Sequence, residues 1–226
     1  MNDSSASPVF STAEPLSPRP AAGASADRGG PAANARLTAL AGASLFVLLA
    51  VLGLTIPGVR RHLGAHIFVG FLVVGPLLLK LCSTGYRFMR YYTGDRRYGQ
   101  AGPPRPLFRI LAPFVVLSTV TVFASGIALV LTRPGSSSLL VTLHKASFLL
   151  WFALMTVHVL AYLAKTATLV SADLTGRGPV AVLAARRVRW LLIAASLLAG
   201  LILALATRGL AHPWVSWFAS HQRFDH

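Results

Sequence analysis

The sequence predicts an all-α fold: an integral membrane bundle of five transmembrane helices. Three observations carry this. Of the 226 residues, 54% are hydrophobic and only 12% are charged, about half the charged fraction of a soluble domain. Mean hydropathy is +0.64. The apolar residues gather into uncharged runs at 37–56, 110–132, 146–164 and 190–207, each close to or beyond the roughly 18 residues that cross a bilayer.

Taken in order, residues 1–36 are rich in Ala, Ser, Pro and Gly, as in Ser17-Pro18-Arg19-Pro20. Such a composition buries too little apolar surface to order itself, and it lacks the basic start and immediate apolar core of a secretory signal. It reads as a disordered cytoplasmic tail, with the first span, 37–57, as an uncleaved signal-anchor. The second span, 63–92, has a shorter apolar run at 63–79. That run continues past Lys80 into Leu81 and Cys82, and a lysine there can snorkel. The third, fourth and fifth spans are expected at 107–132, 139–168 and 188–208, so the membrane domain covers 37–209. Loops at 94–106 and 171–178 face one side, and a turn at 134–138 faces the other. Residues 210–226 read as an external interfacial tail. Trp214, Trp217 and Phe218 suit a membrane–water boundary, while His212, His221 and His226 read as solvated. The second to fifth spans are expected to form the bundle, with the first packed outside it.

The formal net charge of +15 raises nucleic-acid binding as a function, but its distribution points to topology. Arg87, Arg90, Arg96, Arg97, Arg105 and Arg109 fall between the apolar runs of the second and third spans. Lys165, Arg177, Arg186, Arg187 and Arg189 fall between those of the fourth and fifth. The opposite connections carry only Arg60 and Arg61 in one and Arg133 in the other. By the positive-inside rule the N-terminus is cytoplasmic and the C-terminus external, as expected for a multi-pass protein of the plasma membrane. The arginines then sit beside anionic headgroups, and no nucleic-acid partner is expected. The single cysteine, Cys82, cannot form an internal disulfide and reads as a small packing residue.

Chemistry is scarce. The six acidic residues are Asp3, Glu14, Asp27, Asp95, Asp173 and Asp225, and none falls inside an expected span. Proton-coupled transport through a carboxylate relay and hydrolytic chemistry in the membrane both lack their groups. No nucleotide-binding glycine loop, CxxC pair or internal repeat is present. An independent enzyme is therefore not expected.

The histidines remain. His144 and His158 lie fourteen residues apart in the fourth span. That spacing returns to within roughly 40° of one helix face and rises about 21 Å. His66, about one turn into the second span, matches His144 in depth, and His62, one turn before it on the same face, is the alternate ligand to His66. Ionisable residues inside a membrane are costly and mark functional sites. Two imidazoles facing one another across a low-dielectric bundle suit axial ligation of a haem iron, each second ring N–H needing an acceptor. The same residues also fit a simpler reading, as imidazoles hydrogen-bonded to neighbouring helices, and a third as a non-haem metal site that includes His62.

The His-x13-His pair resembles the di-haem cytochromes b, in which four such histidines on two helices hold two haems. The few spans, with histidines on the second and fourth, resemble the small bacterial membrane b-type cytochromes that act as quinone-linked anchors or electron shuttles. The resemblance covers the second to fourth spans. It implies His66 and His144 as one axial pair, His158 as a ligand of a second haem, and a quinone or redox subunit as partner. The fourth histidine would stand at position 80, and this sequence has Lys80 there. Lys80 can ligate through a neutral amine, pair with a haem propionate or lipid phosphate, or snorkel. One haem b is therefore expected rather than two. Lys145, beside His144, offers a cation to a propionate or to headgroups. Gly64, Gly70, Gly75 and Gly126 offer close approach to a macrocycle or ordinary helix packing. The aromatic and basic residues at 83–94 suit a quinone headgroup or partner, or an interfacial belt.

The function expected is membrane electron transfer on a haem between His66 and His144. The alternatives are a non-catalytic membrane anchor or assembly protein with no cofactor, and a transition-metal-handling protein using His62, His66 and His144.

Overall fold

The computed structural model describes residues 30–100 and 106–221. Every regular element among them is helical, in the order α1 (Pro31–Leu54), α2 (Leu63–Tyr92), α3 (Arg96–Gln100), α4 (Pro106–Leu131), α5 (Ser138–Leu174), α6 (Val180–Ala184), α7 (Arg186–Thr207), a 3₁₀ turn at Arg208–Ala211, and α8 (His212–His221). Five helices, α1, α2, α4, α5 and α7, are long and apolar enough to cross a membrane, and the chain is a multi-pass membrane protein. The basic end of the bundle gathers the N-termini of α1, α4 and α7 with the C-termini of α2 and α5.

The long helices pair off. α2 packs along α7, and α4 packs along α5. At the α2–α7 crossing two glycines are used reciprocally. A Cβ on Gly75 would fall on the Ser196 carbonyl, and one on Gly200 would fall on the Leu72 carbonyl. Pro76, fully buried within α2, supplies no N–H to the Leu72 carbonyl four residues back. Gly200 brings the α7 backbone onto that orphaned oxygen, where Cα–H contacts offset part of the lost hydrogen bond. The α4–α5 pair is fastened by buried Trp151, whose indole N–H donates to Thr119 Oγ1 at 3.0 Å.

The first span does not lie outside the bundle. α1 packs against both α2 and α5 and touches α7, burying Ala39, Leu40, Ala41 and Leu45. It also begins at Pro31 rather than 37. Proline at the first helical position costs no hydrogen bond, and Ala32, Ala33 and Ala35 favour helix, so this alanine-rich stretch joins the helix once it has neighbours. Asn34 Nδ2 donates to the Ser83 carbonyl at 3.1 Å, and Thr38 Oγ1 to Ser83 Oγ at 3.0 Å, both across to α2. The rest of the expected tail, 1–29, lies outside the described residues, as does His226.

Two further boundaries differ from expectation. α5 continues to Leu174 over 37 residues, about 55 Å at 1.5 Å per residue, so most of the expected 168–188 connection is helical. The expected loose tail after the fifth span is the 3₁₀ turn and α8, folded back on the bundle. Trp214 is buried, and its indole N–H lies 2.9 Å from the Leu129 carbonyl and 3.1 Å from that of Thr132, capping the end of α4. Arg60, in the α1–α2 connection, stacks over Phe218 of α8 with its guanidinium carbon 5.9 Å from the ring centroid.

Candidate functional site

His66 stands in the first turn of α2 and His144 in the second turn of α5, both toward the end opposite the arginines. The two rings lie within electrostatic range of one another. Their helices, however, make no extended packing contact among the described residues.

Both histidines are anchored through Nδ1. Thr55 Oγ1 lies 2.6 Å from the Leu52 carbonyl and 2.8 Å from His66 Nδ1, so hydroxyl and ring share a hydrogen bond whose direction sets the His66 tautomer. His144 Nδ1 lies 3.1 Å from the Val122 carbonyl and 3.1 Å from Ser125 Oγ, and Ser125 in turn donates to the same carbonyl. A carbonyl only accepts, so His144 Nδ1 carries its proton and Nε2 holds the lone pair. Neither Nε2 has a hydrogen-bond partner among the described residues.

Sequence reasoning asked for such acceptors without naming them. Thr55 is the C-cap of α1, and Ser125 and Val122 lie on α4, so the histidines are oriented by helices other than their own. Gly126 makes room for this: a Cβ there would come to 3.0 Å from His144 Cε1. Gly70, one turn after His66, has open space where its Cβ would be, as does Gly64. Gly75 instead serves the α7 contact.

The other candidates are placed apart from this pair. His62 is the N-cap of α2, exposed, with its ring over Gly58. Among the described residues no group of three or more His, Cys, Asp or Glu side chains comes together to hold a metal ion, so His62, His66 and His144 do not form a three-ligand set. Lys145 is exposed. Lys80 does not snorkel. Its ammonium donates to the Thr38 carbonyl of α1 at 2.7 Å, over Gly42, where a Cβ would stand 2.9 Å from Nζ. His158 lies within electrostatic range of Lys80, and its ring sits 5.0 Å from that of Tyr162. The position matching a fourth histidine therefore holds a lysine committed to the backbone of α1. At 83–94, Tyr86 stacks edge-on with Tyr98, 6.1 Å between centroids, and Arg90 pairs with Asp95 at 2.5 Å.

One site went unread in the sequence. Asp173, expected in a loop, is fully buried in the last turn of α5 and holds two buried arginines, Arg36 of α1 at 3.5 Å and Arg189 of α7. Arg36 also donates to the carbonyls of Ala172 and Arg177, and Arg189 to that of Val182. The arginines thereby satisfy carbonyls in the last turn of α5, in the connection after it and in α6. Gly178, at φ +138°, turns the chain over the Arg36 guanidinium, where any Cβ would collide. Asp173 Oδ2 and Arg189 Nε have no hydrogen-bond partner among the described residues. An i, i+4 pattern does not reveal this ion triad, because its members come from three helices.

Comparisons with protein-family models, with curated proteins and with solved structures find no match to this chain.

Proposed function

We propose that this protein carries electrons in the plasma membrane on a single b-type haem held by His66 and His144, with the N-terminus cytoplasmic and the haem near the external face. One observation carries the reading: both histidines are anchored through Nδ1 by groups on other helices, leaving two Nε2 atoms unpartnered among the described residues, on helices that make no extended contact with each other. Axial ligation asks for that arrangement, a neutral imidazole whose second nitrogen is anchored by a hydrogen bond. The open space at Gly70 supports it from the α2 side, and Gly126 supports it by letting the His144 ring lie close to α4.

A haem there would supply one-electron chemistry, and the chain's own residues would set its position and surroundings. Thr55 and the Val122 carbonyl would hold the rings in register. The apolar helices would exclude water. A quinone or a redox subunit is the partner proposed to exchange electrons with it. Lys80 gives no support to a second haem, because its ammonium is engaged by the Thr38 carbonyl.

A reduced-minus-oxidised absorption spectrum of the purified full chain tests the reading. The expected result is a b-type signature lost in His144→Ala and in His66→Ala but kept in His62→Ala and His158→Ala. Absence of haem from protein produced with ample haem overturns it and favours an anchor whose histidines serve packing alone.

A further inference from the structure

At the basic end, Arg186, Arg187, Trp190, Leu191 and Ala194 line an open cavity of about 700 Å³. The order of these residues along one helix is informative. Two guanidinium groups stand at the start of α7, an indole follows one turn later, and Leu191 and Ala194 continue into the apolar part of the span. Charge, then amphipathic ring, then hydrocarbon is the order of a phospholipid from headgroup to acyl chain.

The charge balance around the cavity is one-sided. The described carboxylates are Asp95 and Asp173, and both are engaged elsewhere, Asp95 by Arg90 and Asp173 by Arg36 and Arg189. Arg186 is held by a hydrogen bond from Nη2 to the Leu174 carbonyl at 3.0 Å, and Gly176, at φ +67°, leaves room beside its other terminal nitrogen. That bond fixes the guanidinium and leaves it uncompensated by any described carboxylate. Arg187 and the Trp190 indole N–H have no partner among the described residues. The cavity therefore offers two positive charges and a free N–H at its mouth above an apolar floor.

We infer that this cavity is a binding site for an anionic glycerophospholipid, the phosphate seated on Arg186 and Arg187 and one acyl chain lying along Leu191 and Ala194. A zwitterionic lipid brings its own cation and gains less from two uncompensated arginines. A free phosphate leaves the apolar floor uncovered. The site does not depend on the histidines or on any haem.

Native mass spectrometry of the full chain, offered phosphatidylglycerol and phosphatidylcholine in equal amounts, tests the inference. The expected result is preferential retention of phosphatidylglycerol. An interfacial arginine is worth about 1 kcal/mol, or about fivefold, so Arg187→Gln weakens retention about fivefold and the double variant with Arg186→Gln about 25-fold. Ala194→Trp fills the groove without altering charge and lowers retention comparably, while Arg133→Gln at the opposite end leaves it unchanged. Because Arg186 also supports the end of α5, Arg187→Gln and Ala194→Trp carry the test if the double variant does not fold. Equal retention of the two lipids overturns the inference. So does undiminished retention in Ala194→Trp, which marks a diffuse basic surface, or displacement of the lipid by excess inorganic phosphate, which marks an anion site.

Discussion

Replacing Asp173 by Asn removes a charge and almost no volume, so its effect isolates the electrostatics of the buried triad. In the native protein Asp173 is 0% exposed, Arg189 3% and Arg36 7%. Neither arginine can reach water without unpacking its helix, and each keeps its backbone acceptors in the variant. What Asp173→Asn leaves behind is two buried guanidinium ions with no anion between them. Removing one partner of a buried ion pair costs about 3–5 kcal/mol, or about two to nearly four orders of magnitude in the folding equilibrium. For a chain of this length that is roughly 6–20 °C in Tm. Thermal unfolding in mild detergent, followed by tryptophan fluorescence, reads the shift. An Asp173→Asn variant within about 0.5 kcal/mol of wild type would refute the argument that the orphaned charge is what destabilises.

Three other outcomes follow from the packing. Gly200→Ala places a methyl on the Leu72 carbonyl and forces α2 and α7 apart, at about 1–3 kcal/mol of overpacking; Gly53→Ala, with nothing within 4 Å of the new Cβ, should be neutral or stabilising in the same thermal assay. Trp151→Phe strips the buried Thr119 hydroxyl of its indole donor and should cost about 1–3 kcal/mol, with Thr119→Val less than additive to it in a double-mutant cycle. Thr55→Val removes the hydroxyl that anchors His66 Nδ1. On the haem reading it should weaken haem retention about 10–100-fold, and in the haem-free protein ¹⁵N chemical shifts of His66 should report a changed tautomer.

The five membrane helices were legible because a long uncharged run has few other fates in a chain of this size. The second span, predicted at 63–92, is the observed α2, and Lys80 did not interrupt it. Boundaries failed where tertiary contacts outweighed local composition. Residues 31–36 read as tail by their Pro and Ala after Gly29-Gly30, yet Arg36 and Asn34 find partners on α5 and α2 that no local pattern announces. Asp173 was placed in a loop because a lone carboxylate beside Thr175, Gly176 and Gly178 resembles one. Its two arginines, 137 and 16 positions away, are what hold it in the helix. Of the candidate site, the shared depth of His66 and His144 came from topology alone. Their hydroxyl and carbonyl acceptors were invisible, since serine and threonine are spread along every span and only packing selects Thr55 and Ser125.

The placement of the histidines follows from how the helix pairs are joined. α2–α7 and α4–α5 are two closely packed units. At the basic end they are bound together through α1, which bonds to α2 by Asn34, Thr38 and Lys80 and to α5 and α7 through the Asp173 triad. At the other end they are bound by the fold after α7. Ala204 and Ala211 pack with Ile67 and Phe71 of α2, Val130 of α4 joins that cluster, and Trp214 caps α4. Each unit then contributes one histidine, His66 from the first and His144 from the second, oriented by Thr55 at the end of α1 and by the backbone of α4. The two pairs are thus fastened to each other at both ends, while the Nε2 atoms of His66 and His144 stay unpartnered among the described residues. His158 lacks this arrangement. Its counterpart on α2, Lys80, is drawn to α1 as part of the fastening, so the two histidines of the fourteen-residue repeat on α5 stand in different surroundings, one anchored against α4 and one beside a structural junction.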